Sequence, residues 1–237
     1  MRNKSVFDFM VRDSHAPTPI AEGLNLAEGY YREGDYAKAA RIWQDAADMG
    51  NFHATFRLAK LMVHWAGAPM SYKDRLKLAE GLLLKLRKKS DDPAIDLALA
   101  DVYAACGATK VASALGHLLM AKAAGGEVTE EMVTSYERRL AKQSVKISED
   151  AHGAYILGNA LLRLGEHEKG VYFLEQAVAH GEGNWVATAV LELAQACEGK
   201  EGFQELHSKY VKKAAELGNP YILRGNPATA RKTRRGA

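Results

Sequence analysis

Residues 29–50 read GYYREGDYAKAARIWQDAADMG, and this stretch decides the fold class. The large side chains of Tyr30 and Trp43 stand among alanines at the three- to four-residue spacing of an amphipathic helix. Gly34 and Asp35 interrupt this spacing, and Asp35 is placed to cap a second helix. The stretch therefore predicts two antiparallel helices whose large and small side chains interlock.

A leucine followed at once by a small residue recurs in five predicted helices. An apolar or aromatic residue comes four positions after each of these lead leucines. Such repetition is typical of stacked helix pairs, because one pair cannot bury its own apolar face. We therefore predict an all-α fold of about five helix pairs, with residues 128–144 as one inserted helix. The five dipeptides are Leu26-Ala27, Leu58-Ala59, Leu99-Ala100, Leu157-Gly158 and Leu193-Ala194.

Four of the predicted second helices end in a glycine that follows an alanine by four residues. A glycine in this place is well suited to a left-handed C-cap, and the alanine allows a neighbouring helix to approach closely. The glycines are Gly50, Gly125, Gly181 and Gly218.

Two segments share one pattern of large and small residues. The pattern is carried by Leu26, Ala27, Tyr30, Gly34, Asp35, Tyr36, Ala39, Trp43 and Ala46, and again by Leu157, Gly158, Leu161, Gly165, Leu174 and Ala177. Residues 26–59 resemble the tetratricopeptide repeat, and their ending AADMGNFHATFRLA resembles the related Sel1-like repeat. Residues 154–181 resemble it too, except that Gly170 stands where alanine is usual. The resemblance implies a right-handed α-solenoid of antiparallel helix pairs over residues 19–223, and a binding role.

The chain's positive charge is concentrated at its C-terminus. The net charge is +3, yet residues 224–237 hold five basic residues and no acid, so the rest of the chain is slightly negative. We predict a basic disordered tail over 224–237, and a segment over 1–18 that caps the open end of the repeats. A body with little positive field argues against nucleic-acid binding except through the tail. The tail residues concerned are Arg231, Lys232, Arg234 and Arg235.

The sequence lacks the common signatures of enzymes and metal sites. It has no dinucleotide-binding, phosphate-loop, nucleophile-elbow or zinc-protease motif. No two of its eight histidines lie three or four residues apart. We predict a non-enzymatic protein with no catalytic residue, metal site or cofactor. The absence of a long apolar run and of a signal-type N-terminus predicts a cytoplasmic protein without membrane insertion.

The predicted functional residues lie beside the lead leucines. In the resembled repeats the first helix of each pair lines the concave face. Positions two before the leucine, and two, five and six after it, form a stripe next to the buried face. Its aromatic, cationic and amide side chains predict a partner-binding groove, unless they cover the seams between repeats. The predicted groove residues are Tyr31, Arg32, Phe56, Lys60, His64, Tyr155, Asn159 and Arg163.

Three groove residues are the preferred contacts. Tyr155 offers contact area at low entropic cost, Asn159 can pair with an extended peptide backbone, and Arg163 can engage a carboxylate. The predicted function is therefore an adaptor or chaperone-like scaffold that binds a protein or peptide. The resemblance implies bacterial roles such as secretion, toxin neutralisation or regulation. The alternatives are a nucleic-acid-associated protein that uses the tail, and a ligand or lipid sensor that uses the superhelix cavity.

Deletion of residues 227–237 is expected to change the free energy of unfolding by less than about 0.5 kcal/mol. The reason is that no large apolar residue follows Leu223. Denaturant unfolding of the truncated and full-length chains measures the difference. A substantially larger loss would mean that the tail packs on the folded body.

Overall fold

The computed structural model describes residues 19–142 and 147–217. Within these ranges the chain forms eleven α-helices and two short 3₁₀ helices, with no strand. The predicted all-α class is therefore confirmed. The predicted capping segment 1–18 and basic tail 224–237 lie outside the described residues. The chain divides between Cys106 and Gly107 into two compact units.

The first unit consists of five helices, each packed on the next along the chain. Short turns join them, so consecutive helices run antiparallel. Trp43, Leu83 and Leu99 are among its fully buried side chains. The helices are α1 (Pro19–Arg32), α2 (Tyr36–Asp48), α3 (Phe52–His64), α4 (Tyr72–Arg87) and α5 (Pro93–Ala105).

Side-chain caps determine where several of these helices begin. The carboxylate of Asp35 accepts a hydrogen bond from the backbone N–H of Lys38 at 3.2 Å, as the sequence predicted. Asp92 caps α5 through the N–H of Ala94 at 2.9 Å, with Pro93 at the first helical position. These bonds satisfy backbone donors that have no partner inside the helix.

The second unit consists of six helices. Helix α8 packs between α6 and α9, while α10 packs on α9 and α11. The helix predicted near residues 128–144 is α7, which packs on α6. The helices are α6 (Val111–Ala123), α7 (Glu130–Lys142), α8 (Ala151–Arg163), α9 (His167–His180), α10 (Trp185–Cys197) and α11 (Gln204–Glu216); the 3₁₀ helices are Ala108–Lys110 and Ile147–Glu149.

Helices α8 and α9 approach each other through two glycines. A Cβ atom at Gly158 would lie 2.8 Å from Cγ of Leu174 and 2.9 Å from the carbonyl oxygen of Gly170. A Cβ atom at Gly170 would lie 2.8 Å from Cδ2 of Leu162. All three distances are shorter than those that real Cβ atoms make with their neighbours. The contact with Leu162 explains why glycine replaces the alanine usual in the resembled repeat.

The predicted left-handed C-caps are confirmed at two positions and wrong at a third. Gly50 and Gly125 have left-handed backbone, with φ values of +85° and +83° respectively. Gly181 is instead extended, with φ −80° and ψ 151°. Glycine is required there for space, because a Cβ atom would overlap the indole of Trp185. Gly218 lies outside the described residues.

A buried aspartate joins the start of α6 to the start of α8. Asp150 is 1% exposed, and its carboxylate accepts hydrogen bonds from the Ser113 backbone N–H at 2.9 Å and the Ser113 hydroxyl at 2.8 Å. Its third partner is the ammonium of Lys110 at 3.0 Å. The side chain of Lys110, the residue before α6, does not cap that helix. Asp150 therefore supplies the missing cap from 37 residues away.

Candidate partner-binding faces

The eight predicted groove residues fall on three helices. In the first unit Tyr31 and Arg32 lie near the end of α1, and Phe56, Lys60 and His64 lie on α3. In the second unit all three residues lie on α8. Four basic side chains are exposed, while Phe56, Tyr155 and Asn159 are half-buried and Tyr31 is 37% exposed. The exposed basic residues are Arg32, Lys60, His64 and Arg163.

An ion pair joins α1 to α3 in the first unit. Arg57 donates from Nε to one oxygen of Glu28 at 2.6 Å and from a terminal nitrogen to the other at 2.5 Å. The guanidinium carbon also lies 4.9 Å from the ring centre of Tyr31 and 5.1 Å from that of Trp43. Tyr31 therefore covers this helix seam with one part of its ring and leaves another part exposed.

Lys60 and His64 lie close to an acid on α5. Desolvation raises the pKa of the Asp101 carboxyl, although the residue as a whole is exposed, and the nearby charges of Lys60 and His64 oppose this rise. The ammonium of Lys60 also lies 5.9 Å from the ring centre of Phe56. This face therefore carries both signs of charge beside an aromatic ring.

Two of the three predicted contacts on α8, Tyr155 and Asn159, interact with Glu192 of α10, and the charge of Arg163 acts on Tyr155. The amide nitrogen of Asn159 donates to a carboxylate oxygen of Glu192 at 2.8 Å. Burial raises the pKa of the Tyr155 hydroxyl, and the adjacent Glu192 raises it further, while Asn159 and Arg163 oppose the shift. Tyr155, Asn159, Arg163 and Glu192 thus form one neighbourhood. The amide nitrogen that was predicted to hold a peptide backbone is already engaged with Glu192.

Aromatic rings border this neighbourhood. The ring centres of Tyr155 and Trp185 are 5.5 Å apart, and His152 lies 5.9 Å from Tyr155 and 5.4 Å from Trp185. Ring pairs at such separations attract each other beyond the burial of their surface. Trp185 also packs over Gly181, where any larger residue would overlap it. The rings are therefore held in place by packing on two sides.

Sequence reasoning missed Glu192, Trp185 and His152. The predicted stripe omitted the position directly before the lead leucine, where Glu192 precedes Leu193. The missed signal is a register shared by both units. Glu28 and Asn159 each stand two residues after a lead leucine. Their partners Arg57 and Glu192 each stand one residue before the lead leucine of the helix that carries them.

Nowhere in residues 19–142 or 147–217 do three or more His, Cys, Asp or Glu side chains converge in a way that suits a metal ion. Among the same residues, no helix combines the length and apolar character needed to cross a bilayer.

Comparison with solved structures matches this chain to a Sel1 repeat protein from Oxalobacter formigenes, among others, at 19% sequence identity and with a TM-score of 0.35. The similarity covers 89% of this chain and 92% of that protein. No protein-family model matches the sequence, and no curated protein matches it significantly.

Proposed function

We propose that this chain is a protein–protein interaction scaffold whose partner binds the face formed by α8 and α10. The observation that carries the proposal is the neighbourhood of Tyr155, Asn159, Arg163 and Glu192, bordered by fixed aromatic rings. Aromatic and arginine side chains dominate the binding energy of protein interfaces. Rings that packing already holds lose little entropy when a partner binds.

The charged groups of this face supply specificity. Arg163 is exposed, and among the described residues it forms no ion pair within 4 Å. It is therefore available to an acidic or carbonyl group of the partner.

The first unit adds a second candidate face, which comprises Tyr31, Arg32, Phe56, Lys60 and His64. The role that fits such faces is that of a cytoplasmic adaptor or chaperone-like protein.

Combined replacement of Tyr155, Asn159 and Arg163 by alanine is expected to weaken partner binding by tenfold or more. A hydrogen bond to a charged group contributes about 1.5–3 kcal/mol, so loss of Arg163 alone is enough to weaken binding about tenfold. The partner is first captured from the native host with the full chain, and the purified pair is then titrated by calorimetry. Helicity and thermal midpoint are checked beforehand.

A matched control lies in the same unit. Combined replacement of Glu168, Lys169 and Tyr172 by alanine removes an acid, a cation and an aromatic ring from exposed positions of α9. Partner affinity is expected to be unchanged in this control. Full affinity in the folded variant of Tyr155, Asn159 and Arg163 would place the interface elsewhere and refute the proposal.

A further inference from the structure

The carboxylate of Glu192 lacks a cationic partner. It is half-buried and accepts a hydrogen bond from Asn159. Among the described residues, no nitrogen of a lysine, arginine or histidine lies within 4 Å of it. Its partners are two neutral donors, the Asn159 amide and the Tyr155 hydroxyl, and an ionised donor bonds to a carboxylate about twice as strongly as a neutral one.

The first unit contains a carboxylate that is already bound by a guanidinium beside aromatic rings. Glu28 holds Arg57 through two hydrogen bonds, and the guanidinium lies against the rings of Tyr31 and Trp43. In the second unit Asn159 stands at the register of Glu28 and Glu192 at that of Arg57, so the carboxylate comes from the other helix and bonds to an amide beside the ring of Tyr155. The pair in the first unit shows that a guanidinium fits between a carboxylate and aromatic rings in this chain.

We propose that Glu192 binds the guanidinium of an arginine side chain presented by the partner protein, with the guanidinium stacked on Tyr155. This inference rests on the proposed function and names the chemistry of its partner. Arginine fits better than lysine, because its planar fork bonds to both oxygens of a carboxylate and stacks on an aromatic face. A carboxylate at the same position would be repelled by Glu192.

The site is organised before the partner arrives. Asn159 orients the carboxylate, and Trp185 supports Tyr155 from its position over Gly181. Groups held in this way lose little freedom on binding, so more of the interaction appears as affinity.

The test is a titration of the ¹⁵N-labelled full chain with three short capped peptides. They have the form acetyl-Gly-X-Gly-amide, where X is arginine, its neutral isostere citrulline, or aspartate. The readouts are the indole N–H signal of Trp185, assigned by its loss in Trp185→Phe, and the side-chain amide signals of Asn159. We expect saturable shifts with the arginine peptide at millimolar concentration. The citrulline peptide is expected to bind at least about tenfold more weakly than the arginine peptide.

Two variants separate the site from general electrostatics. Glu192→Gln is expected to abolish the shifts, while Glu198→Gln, which removes the same charge from an exposed position just after α10, is expected to retain them. The inference is overturned by unchanged binding to Glu192→Gln, by preference for the aspartate peptide, or by the absence of saturable shifts. The same titration is finally repeated with a chain that lacks residues 224–237. Arginine binding seen only in that chain would identify the protein's own tail as the occupant and overturn the assignment to a partner.

Failure of this inference is distinguishable from failure of the proposed function. If the captured partner binds Glu192→Gln normally but not the variant of Tyr155, Asn159 and Arg163, the scaffold face stands and the arginine site does not. If that variant retains full affinity, the proposed face itself is wrong, whatever the peptides show.

Discussion

Asp150→Ala is expected to lower the free energy of unfolding by about 3–5 kcal/mol, the usual loss when one partner of a buried ion pair is removed. The carboxylate is 1% exposed and accepts hydrogen bonds from the backbone and hydroxyl of Ser113. Each buried donor left without an acceptor costs about 1–3 kcal/mol. Lys110 adds less to the loss, because its side chain is 38% exposed and water solvates it in the variant.

Urea unfolding of the full chain, followed by circular dichroism, measures the effect. The matched control is Asp91→Ala, because Asp91 also belongs to an ion pair, with Arg87, but is 93% exposed. Exposed ion pairs of this kind contribute at most about 1 kcal/mol. Equal losses in the two variants would show that Asp150 does not hold α6 and α8 together.

Gly158→Leu is expected to destabilise the protein by about 3 kcal/mol or more, at or above the upper end of the range for overpacked cores. The first added atom alone would lie 2.8 Å from Leu174 and 2.9 Å from the Gly170 carbonyl oxygen, and the rest of the side chain has no space between α8 and α9. The better helix propensity of leucine offsets only about 0.8 kcal/mol.

The control for this prediction is the same substitution at Gly81, in the middle of α4. No atom lies within 4 Å of a Cβ placed there, and the residue is exposed. Gly81→Leu is therefore expected to raise stability by about 0.5–1 kcal/mol through helix propensity. Thermal unfolding of both variants decides the matter. An unchanged midpoint in Gly158→Leu would contradict the close approach of α8 and α9.

Features that depend on neighbouring residues were predictable from the sequence. The spacing around Tyr30 and Trp43 predicted two helices, and the position of Asp35 predicted the cap of the second, because such a bond spans only three residues. The repeat register also placed Gly158 directly after a lead leucine, at a position that the repeat keeps small, and the structure shows a close helix contact there. These features depend on interactions between residues that are close in sequence, so the sequence alone is enough to predict them.

The candidate site was only half predictable. Tyr155, Asn159 and Arg163 were placed on one stripe because one helix carries all three. Glu192 belongs to another helix, and its meeting with Asn159 depends on how α10 is rotated against α8. Helical spacing within one segment contains no information about that rotation.

What the sequence determined by itself is the helical class, the helix caps and the repeat register, since each follows from interactions within a few residues. Only the tertiary structure decided that Gly181 is extended beneath Trp185, that Asp150 caps a helix 37 residues away, and that Glu192 has an amide where Glu28 has a guanidinium. These contacts join side chains distant along the chain. Their geometry is set by the packing of whole helices, which balances many weak contacts at once.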